Sequence, residues 1–149
     1  MPQSLANILV HVVFSTRGRT PFLADRAIRL EMNSYLAGAL RNLGSPAVTI
    51  GSDRDHVHIL CSLSRNLSAA KLVEEIKKSS SKWAKTKGLR HFQWQRGYGA
   101  FSVSPSNVER VCKYIQNQER HHARVSFQEE FRLLLQKNGV QYDERYVWD

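Results

Sequence analysis

Apolar positions along the first half of this chain alternate between short dense runs and a longer amphipathic stretch. Residues 5–15 are almost entirely apolar, which is typical of a strand covered on both faces. Residues 28–43 place apolar side chains at helical spacing, and Asp25 before them is a preferred N-cap residue. A short β-like segment at 47–50 and a tight turn lead into a second dense run at 56–61. These patterns predict the order β-α-β-β.

The second half continues with amphipathic and β-rich segments in turn. The predicted elements are a helix between Ser68 and Gly88, a β-rich segment over 92–104, a helix over about 106–122 that opens with a Ser106–Glu109 capping box, and a final helix and tail over 126–149. The aromatic and acidic tail is expected to dock on the protein surface. No internal repeat or low-complexity linker interrupts these segments, so we expect a single domain over residues 1–149.

Together these elements predict an α+β protein with the ferredoxin-like (RRM-like) βαββαβ arrangement, followed by two C-terminal helices. In this fold an antiparallel four-stranded sheet carries two helices on one face, and its first and third strands are central. The run at 56–61 is therefore expected to be a central strand, and the helix over 106–122 can lie on the open face of the sheet.

Two histidines flank Val57 in this central strand. Alternate side chains of a strand share a face, so His56 and His58 point the same way with Cα atoms about 6.6 Å apart. Both imidazoles can then bind one metal ion, while Val57 and Ile59 pack a core on the opposite face. The alternative is a pair of half-buried, hydrogen-bonded histidines that bind no metal.

The helix over 106–122 carries a tyrosine and a glutamine on one face. Tyr114 and Gln118 are four residues apart, so their side chains are neighbours. Beside a bound cation, the Tyr114 phenol could attack a phosphate and form a covalent intermediate. Gln118 could supply an oxygen ligand, which suits Mg²⁺ or Mn²⁺ better than Zn²⁺. The alternatives are an amphipathic tyrosine with its ring buried and a solvated glutamine.

The charge balance favours a polyanionic partner, nucleic acid first and an anionic membrane second, although a basic helix face can also serve only for solvation. The chain has 22 Lys and Arg residues against 13 Asp and Glu residues, a formal net charge of +9. The basic residues that we expect to contact DNA phosphates are Arg17, Arg19, Lys78, Lys82 and Arg96. No apolar run reaches the length of a membrane span, no signal peptide is evident, and the two cysteines are typical of a reducing compartment, so a cytoplasmic location is expected.

Several stretches of the sequence resemble one family, the HUH-type single-tyrosine transposases of small bacterial insertion sequences and their REP-associated relatives. The similar stretches are ILVHVVFSTRGRTPFL, DHVHIL, QRGYGAFSVS, YIQNQERHH and YDERYVWD, which together extend over nearly the whole chain. Both the His-hydrophobic-His pair and the Tyr-x-x-x-Gln spacing occur in the order found in the family.

The resemblance implies a chemistry and an architecture. His56, His58 and Gln118 would bind the divalent cation, and Tyr114 would be the nucleophile. The substrate would be single-stranded DNA with hairpins, cleaved through a 5′-phosphotyrosine and rejoined by a 3′-OH, with no nucleotide cofactor. The protein would be a homodimer in which Tyr114 works in trans with the histidines of the other subunit.

Three alternatives differ in class or context. A non-catalytic nucleic-acid-binding protein on the same fold explains the charge and the sheet, but it leaves His56, His58 and Tyr114 unexplained. A cupin-like metalloenzyme would require a β-barrel, whereas this chain is expected to be about half helix. A rolling-circle nickase shares the chemistry, but its domain usually belongs to a longer chain.

Overall fold

A four-stranded antiparallel sheet forms the centre of the protein, in a computed structural model that describes residues 2–149. Its order is β2-β3-β1-β4, which confirms the predicted central positions of the first and third strands. The strands are β1 (Leu9–Ser15), β2 (Ala47–Ser52), β3 (His56–Ser62) and β4 (Gly99–Val103). The helices are α1 (Arg26–Asn42), α2 (Ala69–Thr86), α3 (Val108–Gln116), α4 (Gln118–His121) and α5 (Phe127–Lys137). The α+β fold is as predicted.

Helices α1 and α2 cover one face of the sheet. The Asp25 carboxylate accepts a hydrogen bond from the Ala27 N–H at 2.9 Å, and the Ser68 hydroxyl accepts one from the Lys71 N–H at 3.0 Å, so both predicted caps are present. Val57 and Ile59 of β3 lie in the core beneath these helices. The alternation of side chains in β3 therefore directs His56 and His58 to the opposite face.

Helices α3 and α5 pack on this opposite face, and two glycines allow them to approach closely. A β-carbon at Gly51 would lie 2.0 Å from the Ile115 carbonyl oxygen, so α3 rests directly on the backbone of β2. A β-carbon at Gly99 would lie 2.7 Å from the Phe131 ring, so α5 rests on the start of β4. The predicted docking of the tail also occurs, since Trp148 packs against the cluster that contains Phe131.

Two predicted boundaries are wrong. The strand predicted over 92–104 is interrupted: Trp94 forms only an isolated antiparallel bridge with Thr16, and the continuous strand begins at Gly99. Trp94 is buried and donates a hydrogen bond to the Ser80 hydroxyl at 2.9 Å. The Lys77 ammonium donates to the Gln95 and Gly97 carbonyl oxygens at 2.8 and 2.7 Å, so these carbonyls are satisfied by a side chain instead of a neighbouring strand.

The helix predicted over 106–122 is divided and begins later. A 3₁₀ turn at Pro105–Asn107 precedes α3, no side chain caps α3, and the Ser106–Glu109 capping box is therefore wrong. Asn117 ends α3, its N–H bonded to both the Lys113 and Tyr114 carbonyl oxygens, and α4 follows. Within residues 2–149, no helix has both the length and the apolar content needed to cross a bilayer.

Candidate active site

The two histidines of β3 are fully buried and their rings are held from behind. His56 Nδ1 lies 2.7 Å from the Asp55 carboxylate, and His58 Nδ1 lies 2.8 Å from His11 Nε2. Partners at Nδ1 fix the orientation of an imidazole and leave Nε2 to bind a metal, as in many metal sites. Both Nε2 atoms accordingly face the same space between β3 and α5. The structure therefore confirms that the His56 and His58 side chains lie on the same face of β3.

Glu130 of α5 lies at the centre of this space. Its side chain is only 2% exposed, and its Oε1 atom is 2.8 Å from His58 Nε2 and 3.6 Å from His56 Nε2. The same oxygen is 3.0 Å from His122 Nε2. A buried carboxylate needs partners of opposite charge or hydrogen-bond donors, and the surrounding imidazoles supply them.

Sequence reasoning missed Glu130 and His122, although one signal for the glutamate was available. Glu130 falls on the apolar stripe of the last helix, directly between Phe127 and Phe131 at helical spacing. An acidic residue on the buried face of a helix is rarely accommodated without a specific partner. His122 carries no comparable signal, because its position depends on the break in the helix at Asn117.

These side chains form a group that could hold a metal ion. One donor atom from each of His56, His58, His122 and Glu130 lies within 4.8 Å of the other three. The Gln118 side chain is 1% exposed, and its Oε1 atom lies 3.1 Å from His56 Nε2. When His56 donates its Nδ1–H to Asp55, its Nε2 carries a lone pair. This Nε2 atom and the Gln118 oxygen are then two potential ligands of one cation. The donor set fits a divalent cation.

Tyr114 lies beside the same carboxylate. Its hydroxyl donates a hydrogen bond to Glu130 Oε2, and its ring centroid is 5.5 Å from that of His58. Burial and the negative charge of Glu130 raise the pKa of Tyr114 well above its ordinary value, so the phenol is protonated at neutral pH. One chain therefore places Tyr114, Gln118, His56 and His58 together.

The charges of the site follow from burial and from Glu130. Burial lowers the pKa of His58 to about 4, against the opposing effect of Glu130, so this imidazole is neutral at pH 7. Burial opposes ionisation of Glu130, but hydrogen bonds from His122 and His58 hold the pKa of its carboxyl far below the ordinary value. For His122 burial acts downward, yet the hydrogen bond to Glu130 raises its pKa overall.

Four of the five predicted DNA-contacting residues line one groove. This groove has a volume of about 950 Å³ and lies between α2, the turn after β1 and the loop before β4. Its basic side chains are Arg17, Arg19, Lys77, Lys78 and Arg96. Lys82 instead lines a neighbouring recess beside Trp83. Among the aromatics of the β-rich segment, Tyr98 is 38% exposed in the groove, whereas Phe92, Trp94 and Phe101 are buried.

The structure thus places, on one face of a ferredoxin-like sheet, a group of histidines and a glutamate that could hold a metal ion, with Tyr114 of a covering helix beside it. The chain belongs to the IS200-like transposase family, whose sequence profile matches residues 4–118. No curated protein matches the chain.

Two solved structures share the fold. One is a candidate transposase from Deinococcus radiodurans R1, with a TM-score of 0.61 and 19% identity, covering 79% of this chain and 98% of that chain. The other is a REP-associated tyrosine transposase bound to a REP hairpin, with a TM-score of 0.61 and 15% identity, covering 84% of this chain and 74% of that chain.

Proposed function

We propose that this protein cleaves and rejoins single-stranded DNA, with Tyr114 as the nucleophile. The observation that carries the proposal is the convergence of the Tyr114 hydroxyl and the His56 and His58 Nε2 atoms on one buried carboxylate, Glu130. In the reaction the phenol oxygen bonds to phosphorus, the bond from phosphorus to the 3′ oxygen of the preceding nucleotide breaks, and in the net balance the phenol gives up one proton and the leaving 3′ oxygen takes up one. The product is a 5′-phosphotyrosine and a free 3′-OH, which keeps the energy of the phosphodiester bond for rejoining.

We also propose that His56, His58, His122 and Glu130 hold the divalent cation, with Gln118 beside them. When bound, the cation would polarise the scissile phosphate and neutralise charge that develops on its oxygens. Three imidazoles and one carboxylate favour Mn²⁺ over Mg²⁺, because Mg²⁺ prefers oxygen ligands. Of the two cations expected from the sequence, we therefore propose Mn²⁺.

Each residue of the chain has a distinct task in this proposal. Asp55 and His11 orient the two strand histidines from behind, so that their Nε2 atoms point inward. Glu130 orients the Tyr114 hydroxyl through its second oxygen. The low pKa of the Glu130 carboxyl makes it a positioning group for the phenol, not the acceptor of its proton.

The proposed substrate is single-stranded DNA with a hairpin. The basic groove supports this choice, because its cations can neutralise several phosphates along a strand. The solved relative that binds a REP hairpin supports a hairpin as the structured part of the substrate. The resemblance predicts a homodimer with sites shared in trans, and this stays a prediction. The contacts within one chain support a site assembled in cis, which we propose.

The test is covalent capture. A 5′-labelled and a 3′-labelled hairpin oligonucleotide with single-stranded flanks are incubated with Mn²⁺ and separated on a denaturing gel. We expect a protein–DNA adduct that retains the label on the 3′ side of the cut. Hairpin binding without any adduct would instead favour the non-catalytic nucleic-acid-binding alternative.

A further inference from the structure

A second cavity opens beside the nucleophile, on the side away from the basic groove. It is a cleft of about 440 Å³ between α3 and α5, with β4 as its floor. Tyr114, His121 and Glu130 form its inner end. A volume of this size lies within the range of small-molecule sites, roughly 300–1,000 Å³. The proposed cation site and nucleophile use only the residues at the inner end. The proposed function therefore assigns no ligand to the rest of the cleft.

The walls of the cleft are apolar and partly aromatic. Val111 of α3, Leu134 of α5 and Phe101 of β4 all line it. Leu133 at the mouth is 62% exposed, so folding does not bury it and a bound apolar surface could cover it. Aromatic rings such as Phe101 stack on nucleobases without requiring a particular base, and the aliphatic side chains give apolar contact to the faces of a base.

The mouth of the cleft is basic. Arg110 of α3 and Lys137 of α5 stand on its two sides. Neither is paired with a carboxylate among residues 2–149. Free cations beside an apolar pocket match a nucleotide, whose base is apolar on its faces and whose phosphates are anionic. The charge therefore favours a nucleic-acid strand over an uncharged ligand.

We propose that this cleft binds the base of one nucleotide flanking the scissile phosphate, and so fixes which phosphate meets Tyr114. The inference rests on the proposed function, because the inner end of the cleft is the nucleophile itself. The base lies between Val111 and Leu134, its phosphates meet Arg110 and Lys137, and the adjoining phosphodiester lies at the Tyr114 hydroxyl. Strand cleavage thus depends on a base that the helices hold, in addition to contacts in the basic groove.

The experiment has two arms: one removes the base from the DNA, and the other fills the cleft of the protein with a larger side chain. Hairpin oligonucleotides with a mapped cleavage site carry a tetrahydrofuran abasic unit at either position flanking the scissile phosphate. We expect wild-type cleavage to fall on the order of tenfold or more at one of the two positions. In Val111→Trp the indole fills the cleft, so intact and abasic substrates should be cleaved at equal, reduced rates. Gln116→Trp, an exposed position of α3 outside the cleft, should retain the wild-type ratio.

Two further measurements keep the inference separate from the function on which it rests. Melting temperature reports whether Val111→Trp is folded; if it is not, Asn138→Trp on the other wall, where residue 138 is exposed, replaces it. Wild-type cleavage that changes less than twofold at both abasic positions overturns the inference and leaves the function standing. An abasic penalty that persists in a folded cleft-filled variant also overturns it. If wild type cleaves no oligonucleotide, the proposed function fails and the inference that rests on it is overturned with it, an outcome distinct from cleavage without an abasic penalty.

Discussion

The Tyr114 hydroxyl of α3 donates a hydrogen bond to the Glu130 carboxylate of α5, which is also 2.8 Å from His58 Nε2 of β3. One carboxylate therefore links the proposed nucleophile to the proposed cation site. Oε1 lies nearest to the imidazoles of His56, His58 and His122. Oε2 accepts the phenol hydrogen bond and also lies 3.3 Å from His121 Nε2. Changes at Glu130 should consequently affect cation binding and tyrosine position together, whereas changes at Tyr114 should affect only chemistry.

Tyr114→Phe should abolish covalent capture of cleaved DNA and leave hairpin affinity within about twofold. The phenol oxygen performs the attack but contributes little contact area. The measurement is a denaturing gel for the adduct together with an anisotropy titration for affinity. Tyr98→Phe, a change of the same kind at an exposed tyrosine in the groove, should still form the adduct. A surviving adduct in Tyr114→Phe would reject this residue as the nucleophile.

Glu130→Gln should weaken Mn²⁺ binding by on the order of tenfold or more, since an anionic oxygen among three imidazoles is replaced by a neutral amide. Isothermal titration calorimetry and the electron paramagnetic resonance signal of free Mn²⁺ measure this without reference to activity. Glu129→Gln, the exposed neighbour, is the matched control and should bind as wild type does.

His56→Ala and His58→Ala should each lose cation-dependent cleavage, and EDTA should reproduce their effect in wild type. Each change removes one imidazole and leaves the remaining ligands too few to hold the cation. Full cleavage in EDTA would show that the histidines serve only the packing of β3 against α5.

The stability of the cation-free protein should fall as the pH is lowered from about 6.5 toward 4. Burial lowers the pKa of His58 to about 4 and that of His11 to about 3, while both lie near 6.5 in the unfolded chain. The unfolded state then takes up protons that the folded state excludes, so stability is fully present above pH 6.5 and is lost as the pH falls through the folded values.

Other groups at the site do not cancel this loss. His122, whose pKa is raised, contributes stability that grows as the pH falls toward the unfolded value of 6.5 and is fully present only below it, so it opposes the loss only in the upper part of this range. Glu130, whose pKa is lowered, adds a further loss only as the pH falls below its ordinary value of 4.5. Urea unfolding in EDTA at pH 7, 6 and 5 measures the trend. His11→Gln should flatten it and the exposed His91→Gln should not. A free energy of unfolding that is constant over this range would contradict the prediction.

Mixing His56→Ala/His58→Ala chains with Tyr114→Phe chains distinguishes the cis arrangement of the site from the trans arrangement. In the cis arrangement that we propose, every chain carries its own lesion and the mixture stays inactive. In the trans arrangement predicted from the resemblance, half of the dimers are mixed, and each mixed dimer keeps one intact site. Native mass spectrometry establishes whether mixed dimers form. Recovered cleavage would replace the cis proposal with the trans one.

The fold and the strand histidines were predictable because they depend on local patterns. Alternation fixes which residues of β3 share a face, so the sequence alone assigns Val57 and His58 to opposite sides of the sheet. Glu130 was not predictable as a site residue, since its place at the histidines depends on how α5 crosses the sheet. The late start of β4 at Gly99 has a similar cause, because Lys77, distant in sequence, satisfies the carbonyls of the preceding loop.

The absence of a side chain at Gly51 has a consequence for how this protein could be silenced. Because the Ile115 carbonyl would lie 2.0 Å from a β-carbon there, even an added methyl group must lift α3 away from β2. Tyr114 is the preceding residue of α3 and would move with it, while His58 on the next strand keeps its place. A single methyl group remote from the proposed chemistry would thus separate the proposed nucleophile from the strand histidines, a short mutational route from the proposed cleavage to DNA binding alone.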